Sequence, residues 1–137
     1  HVASERSEAI RAFGADRDVR PLPTSEVVEL VVDLYCSPMF RSALALWTAS
    51  AAEPSLREQV VPLEARLGRE VHRVTDDLLD ADESVPGVRE LIQGTLDMAR
   101  GLGLADLLTD DSARRGRIVA EWSRTLDLVL AGATRRS

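Results

Sequence analysis

The stretch from Leu56 to Leu78 repeats an apolar residue every three or four positions, and this repeat constrains the fold more than any other feature of the chain. The repeating residues are Leu56, Val60, Leu63, Leu67, Val71, Val74 and Leu78, with steps of 4, 3, 4, 4, 3 and 4. Residues at this spacing lie on one face of an α-helix. The repeat keeps its phase through Pro62, so it predicts one helix to about Asp80, kinked at the proline, rather than two separate helices.

Similar repeats divide the rest of the chain into helices separated by short turns. Helices are predicted over about residues 1–13, 24–35, 37–52, 55–80, 86–104 and 110–131. The segment 27–35 is apolar almost all round and should be the most buried element. We interpret it as a helix because no other segment offers it a strand partner. The sequence therefore predicts an all-α fold, an antiparallel bundle of about six helices in a single domain.

Residues with cap or turn preferences mark the ends of these helices. N-caps are predicted at Thr24, at Ser37 and at either Thr109 or Asp110. Prolines at the first helical turn predict helix starts at Pro38 and Pro86. Glycines predict a bend or an end at Gly101 and Gly103. Residues 133–137 follow the last repeat and are expected to fray.

The charge balance limits the partners of this chain. It carries 17 basic and 23 acidic side chains, a net charge of -6. This balance argues against a nucleic-acid contact surface, because such a surface needs a basic face. The single Cys36 cannot form an internal disulfide. No apolar run approaches the roughly 20 residues that span a bilayer, so we expect a cytoplasmic protein with no membrane partner.

No set of residues has the spacing of a catalytic or metal site. His1 and His72 are the only histidines, which rules out a His-based triad or a three-histidine metal site, and His72 is interpreted as a surface or rim residue. The acidic cluster 76–83 lacks the glycine and glutamate of a calcium loop and is interpreted as a solvated helix end. Cys36 has no basic neighbour in sequence and is interpreted as a small buried residue. We expect no enzyme activity and no cofactor.

Three stretches of the chain resemble the C-terminal domain of TetR-type transcriptional regulators. They read SPMFRSALALWTASAAEPSLREQVVPLE (37–64), PLEARLGREVHRV (62–74) and ADESVPGVRELIQGTLDMARGLGLADLLTDDSARRGRIVAEWSRTLD (81–127). The resemblance covers about residues 23–132. It rests on overall pattern and short phrases rather than on a catalytic signature, so it implies a regulator and says nothing about the ligand.

The resemblance also implies how the protein is organised. In this family an N-terminal helix-turn-helix reads operator DNA, and it would precede His1. Residues 1–14 would then be the connecting helix, and residues 15–137 the ligand-binding and dimerisation domain. The last two helices, 86–104 and 110–131, would pair with those of a second subunit in a four-helix bundle, forming a homodimer.

The implied interface residues are Leu91, Thr95, Met98, Leu102, Ile118, Trp122, Thr125, Leu126 and Val129. The residues themselves also favour an interface. The apolar positions of the helix near Pro86 cover more of its surface than one core requires, and unpaired apolar stripes usually mark an interface. The alternative is that both stripes belong to the core of one chain.

The middle helices would enclose the ligand pocket. The candidate lining residues are Tyr35, Phe40, Leu44, Trp47, Leu63, Leu67, Val71, Gln93 and Leu96. Aromatic residues make up only 4% of the chain, so the walls would be mostly aliphatic. Tyr35, Trp47 and Gln93 could supply the few polar groups that orient a ligand. This predicts a small, largely apolar effector, although the same spacing also fits a plain core.

Together these features predict a ligand-responsive repressor. The effector would shift the population between two spacings of the DNA-reading halves, with Pro62 and the connecting helix ending at Phe13 as transmitting elements. Two alternatives remain open. A small helical enzyme acting on an apolar substrate would need convergent titratable groups, which the apolar faces lack. The other alternative is a free-standing helical interaction module, or a small-molecule-binding protein, without DNA binding. Solid packing around Phe40, Leu44 and Trp47, with no cavity, would favour the interaction module.

Overall fold

The computed structural model describes residues 22–136 of the chain. This part contains five helices: α1 (Thr24–Tyr35), α2 (Pro38–Ala51), α3 (Pro54–Leu79), α4 (Val88–Asp106) and α5 (Ser112–Leu130). Within residues 22–136 there is no strand, only one isolated antiparallel bridge between Ala81 and Thr134. The predicted all-α class is confirmed. The predicted segment 1–13, the domain boundary at residue 14 and Phe13 lie outside the described residues.

Helix α1 is the central element of the fold, as its composition predicted. Its residues Val27, Val28, Val31, Val32 and Tyr35 are each at most 2% exposed. The helix packs against α3, α4 and α5, so several helices cover its apolar residues, while Glu26, Glu29 and Asp33 stay exposed along one stripe. A helix that is apolar almost all round gains most from such a position, because each further face that is covered removes more apolar surface from water.

Helix α3 continues through Pro62, as the unbroken repeat predicted. A proline inside a helix lacks the N–H that would bind the carbonyl four residues earlier. Pro62 and Glu58 are both exposed, so the carbonyl of Glu58 lies on the solvent side, where water can satisfy it. At 26 residues and about 1.5 Å per residue, α3 is roughly 39 Å long.

Several helix starts differ from the predicted ones. Thr24 is the first residue of α1 rather than its cap, which is Pro23. Ser37 is the N-cap of α2 with Pro38 at the first helical position, but its hydroxyl donates to the carbonyl of Leu34 at 2.7 Å. The Ser37 side chain therefore satisfies the end of α1 instead of the start of α2.

The last two helices are also shifted from their predicted ranges of 86–104 and 110–131. Helix α4 begins at Val88, because Gly87 has a φ of 92° and breaks the helical path before it. Helix α5 follows an N-cap at Asp111, so the predicted caps at Thr109 and Asp110 are wrong. The carboxylate of Asp110 instead accepts from the backbone N–H of Ser112 at 3.0 Å.

The bend predicted from Gly101 and Gly103 is absent, and α4 runs through both glycines to Asp106. Gly103 has a packing role instead. A Cβ placed on it would lie 2.4 Å from the carbonyl oxygen of Tyr35. Only glycine lets the backbone of α4 come this close to the end of α1.

Asp106, the last residue of α4, joins three helices. It accepts from Arg41 of α2 at 2.6 Å and from Arg115 of α5 at 3.1 Å. The hydrogen bond from Arg41 is the main cause that holds the pKa of Asp106 below its usual value. Nearby, burial raises the pKa of the half-buried Cys36 thiol more than the charge of Arg115 lowers it, so Cys36 stays a neutral thiol.

Candidate ligand-binding site

A cleft of about 570 Å³ lies between α3 and α4. Its lining residues are Tyr35 from α1; Ala65, Gly68, Arg69, His72, Arg73 and Asp76 from α3; Glu83 from the following turn; and Arg89, Gln93, Leu96, Asp97 and Arg100 from α4. Its volume falls within the range of small-molecule sites, roughly 300 to 1,000 Å³. Most of the lining side chains are charged or polar, in contrast to the aliphatic pocket predicted from the sequence.

Helical spacing explains why these side chains face one another. On α4, residues 89, 93, 97 and 100 follow one another at steps of 4, 4 and 3, which places them along one flank of the helix. On α3, residues 65, 69, 72 and 76 do the same at steps of 4, 3 and 4. Each polar flank borders the buried apolar face of its helix. Because α3 and α4 pack through those apolar faces, the two polar flanks form opposite walls of the cleft.

Two aromatic rings support Arg100 at one end of the cleft. Its guanidinium lies 5.6 Å from the ring centroid of Tyr35 and 5.2 Å from that of Trp47. Tyr35 itself meets Phe40 edge to face, with centroids 5.0 Å apart. A guanidinium over an aromatic face is attracted by the negative face of the ring, so these contacts restrict the position of Arg100.

The carboxylates of the cleft each have a cationic partner or hydrogen-bond donor. Glu83 contacts Nε2 of His72 and lies 4.0 Å from Arg89. Asp97 accepts from Arg100 at 2.6 Å. His72, predicted to lie on the surface or a rim, is half-buried and forms part of the cleft wall.

Asp76 lies at the other end of the cleft, and only one of its two carboxylate oxygens has a hydrogen-bond partner among the described residues. Its Oδ2 accepts from Arg135 at 3.2 Å, while its Oδ1 is buried with no partner among the residues described. Burial raises the pKa of Asp76, and the charge of Arg135 opposes this only in part. The acidic cluster 76–83 thus holds an arginine of the chain's own C-terminal segment rather than forming a solvated helix end.

The predicted pocket residues separate into two groups in the structure. Tyr35, Phe40, Trp47, Leu67 and Val71 come together, but the space between them is only about 20 Å³, room for about one water molecule. Gln93 and Leu96, again with Tyr35, line the larger cleft. Leu44 is buried and Leu63 half-buried, and neither lines either space.

Sequence reasoning did not select the arginines of the cleft, Arg69, Arg73, Arg89 and Arg100. The sequence feature that could have identified them is the polar stripe at 89, 93, 97 and 100 on α4, which faces a second polar stripe on α3. A single such stripe is typical of a solvated helix face. Only the packing of one stripe opposite the other distinguishes a cleft from a surface.

The predicted interface residues lie along adjoining flanks of α4 and α5. Three of them are buried within the chain: Thr95, Leu102 and Leu126. Five are half-buried: Leu91, Met98, Ile118, Trp122 and Thr125. Val129 is 48% exposed. The two helices run antiparallel, since Trp122 contacts Thr95 and Arg115 contacts Asp106. The indole N–H of Trp122 donates to the Thr95 hydroxyl at 2.9 Å, which fixes the ring between the helices.

Other kinds of site find no support in residues 22–136. No group of three or more His, Cys, Asp or Glu side chains in this range is arranged to hold a metal ion. None of the helices in the described part has the length and apolar character to cross a bilayer.

Comparison with known proteins adds no assignment. No family model, no curated protein and no solved structure matches the chain.

Proposed function

We propose that this chain is the ligand-binding and dimerisation part of a ligand-responsive transcriptional regulator of the TetR type. Two features support the proposal. The described helices end in a long antiparallel pair, α4 and α5, which is the arrangement that the sequence resemblance implies. The cleft between α3 and α4 has the volume of a small-molecule site.

The observation that carries the proposal is a partly exposed apolar surface shared by α4 and α5. We call it the outer face. It consists of Leu91, Gly94, Met98 and Gly101 on α4 and Ile118, Trp122, Thr125 and Val129 on α5. Its residues are spaced at steps of 3 or 4 on each helix, so they form two continuous stripes side by side.

The outer face has the features of a surface that pairs with its own copy. Gly94 and Gly101 are exposed, and a Cβ added to either would meet nothing within 4 Å in the chain. Glycines on a helix surface let a second helix approach closely, and the flanking apolar side chains then lose contact with water. An isologous pairing of the two stripes with those of a second subunit would make a four-helix bundle.

Helix α4 connects the two proposed sites. Gln93 and Arg100 lie on its cleft flank, whereas Leu91 and Met98 lie on its outer flank. A ligand that binds better to one position of α4 favours the dimer geometry that goes with it. Through the dimer, the same preference would reach a DNA-reading helix-turn-helix preceding His1, and the coupling is reciprocal between ligand and operator.

Dimerisation is tested with Gly94→Glu on the outer face and Gly116→Glu as a matched control. Both glycines are exposed helix positions with open space around them, so neither change disturbs the fold of the chain. Sedimentation equilibrium should give twice 15.0 kDa for the wild type and for Gly116→Glu, and 15.0 kDa for Gly94→Glu. A wild-type monomer, or a dimer that tolerates Gly94→Glu, would show that the outer face is not the interface.

Regulation is tested on the protein as its own gene encodes it. Its binding to DNA flanking that gene is measured by fluorescence anisotropy, for the wild type and for Gly94→Glu. We expect saturable, salt-sensitive binding by the wild type and much weaker binding by the variant, because a monomer engages only one half-site. Absence of DNA binding by the wild type would contradict the regulator assignment.

A free-standing helical interaction module is the second candidate. It is favoured by the small space, about 20 Å³, among Phe40, Trp47 and their neighbours, which makes that part of the core nearly solid. A module of this kind would keep the outer face and its dimer but would not bind DNA. The anisotropy measurement therefore separates the two candidates.

A further inference from the structure

We propose that the cleft between α3 and α4 binds a small organic carboxylate, with Arg69 and Arg100 holding the carboxylate group. This inference rests on the proposed function only in treating the bound molecule as the effector. It replaces the largely apolar effector expected from the sequence with an amphiphilic one.

The charges of the cleft favour an anion. Four arginines and three carboxylates line it, in a chain whose net charge is -6. The carboxylates are engaged already: Glu83 by His72, Asp97 by Arg100 and Asp76 by Arg135. Three of the arginines are engaged too: Arg100 with Asp97, Arg73 with Glu70 and Asp77, and Arg89 at 4.0 Å from Glu83. Among the described residues, the unpaired charge on the walls is therefore the positive charge of Arg69.

Arg69 is the cleft cation with a free charge. Its side chain forms no hydrogen bond or ion pair within residues 22–136, whereas Arg73 pairs with both Glu70 and Asp77. A planar guanidinium presents two parallel N–H groups that match the two oxygens of a carboxylate. Arg69 can thus bind a carboxylate without giving up an existing partner.

Arg100 supplies a second donor that is already positioned. Its side chain lines the cleft and is 34% exposed, and the rings of Tyr35 and Trp47 lie close to its guanidinium. A guanidinium carries five N–H donors, so Arg100 can keep its bond to Asp97 and still donate to a ligand carboxylate. Because the rings restrict the side chain beforehand, little further ordering is needed when a carboxylate binds.

The remaining lining provides for an apolar body. Tyr35 and Leu96 are buried side chains at the cleft wall, and Ala65 and Gly68 on α3 add small residues opposite them. A volume of about 570 Å³ accommodates an acid with an aryl or alkyl group. The cleft therefore fits an amphiphilic acid better than a simple inorganic anion, which would leave the apolar wall uncovered.

The test compares three probes of similar size: 3-phenylpropionate, its isostere 3-phenylpropionamide, and 3-phenylpropylamine. Binding to the full chain is followed by titration in NMR spectra at low salt. We expect saturable binding of the acid, and binding of the amide and the amine that is weaker by about tenfold or more, the effect of losing one charged hydrogen-bonded pair. The shifted signals should come from residues of the cleft.

Arg69→Gln and Arg66→Gln make a matched pair of variants. Both arginines are exposed on α3 and neither has an ion pair within the described range, but only Arg69 lines the cleft. Arg69→Gln should weaken binding of the acid by about tenfold, and Arg66→Gln should leave it unchanged. Arg100→Lys keeps the charge but loses the planar fork, so it should also weaken binding.

Equal binding of acid and amide would overturn the carboxylate inference, and so would failure of the acid to bind at millimolar concentration. Full binding by Arg69→Gln would do the same. None of these results affects dimerisation or DNA binding, which are measured without a ligand, so the proposed function is judged separately. Preferred binding of the amine would show that the three carboxylates dominate the cleft and would also overturn the inference.

Discussion

Arg135 binds Asp80 through both its side chain and its backbone. Its Nε donates to Oδ1 of Asp80 at 3.2 Å, and its backbone N–H donates to the carbonyl of Asp80 at 2.8 Å. Asp82 strengthens the connection by donating its N–H to the carbonyl of Ala133 at 2.9 Å. The segment after α5 is thus held against the end of α3, and the expected fraying of residues 133–137 is wrong for residues 133–136.

Arg135→Ala should lower the free energy of unfolding by about 1 to 2 kcal/mol, because partly buried carboxylates lose their cationic partner. The side chains of Asp76 and Asp80 are only 15% and 12% exposed, so water replaces that partner poorly. Urea unfolding followed by circular dichroism measures the change. Arg136→Ala is the control, since Arg136 is 66% exposed and lies 3.7 Å from Asp80. Equal losses for the two variants would contradict a specific role of Arg135.

Asp76 should give the protein a pH dependence of unusual sign. Burial raises its pKa in the folded state, so over the window just above the usual value of 3.8 the folded state binds more protons than the unfolded state. Stability from this group therefore rises as pH falls through the raised pKa and is lost as pH rises. Carboxylates whose pKa is lowered in the folded state, such as Asp106, contribute stability that is lost as pH falls. The contribution of Asp76 must therefore be isolated by comparison with a variant.

The comparison uses Asp76→Asn, which removes this titration. The free energy of unfolding of the wild type relative to Asp76→Asn should increase as pH is lowered from neutral towards the usual range of aspartate. Thermal or urea unfolding of both proteins at several pH values measures it. A difference that stays constant with pH, or that shrinks as pH falls, would mean that Arg135 outweighs burial at this carboxylate.

Gly103→Ala should destabilise the protein by about 1 to 3 kcal/mol, the usual cost of forcing extra volume into a packed core. The added Cβ would meet the carbonyl oxygen of Tyr35 at 2.4 Å. That oxygen belongs to the backbone of α1 and cannot rotate away, so α1 and α4 must separate. Thermal unfolding measures the loss.

Gly116→Ala is the control for this change. Gly116 is also a helical glycine, but nothing lies within 4 Å of its added Cβ. The substitution should stabilise the protein by about 0.5 to 1 kcal/mol through helix propensity alone. If Gly103→Ala were as stable as Gly116→Ala, the close approach of α1 and α4 would not limit the fold.

The helices and the most buried one among them could be predicted from the order of the amino acids. The step pattern from Leu56 to Leu78 predicted the continuous α3 through Pro62, and the apolar run 27–35 predicted the central position of α1. The first inference depends on the period of an α-helix, which is a local property of the backbone and is the same in every fold. The second depends on the apolar composition of the segment. Helix ends were predicted less well, because they depend on single residues such as Gly87.

The contacts of the polar residues could not be predicted in this way, because they depend on how whole helices pack. Arg69 and Arg100 belong to separate helices, and Arg135 is 55 positions from Asp80, so no local pattern relates them. A helix period tells which side chains share a flank, but the packing of whole helices decides which flanks meet. That packing is set by the summed burial of many apolar side chains, and the cleft between α3 and α4 is a consequence of it.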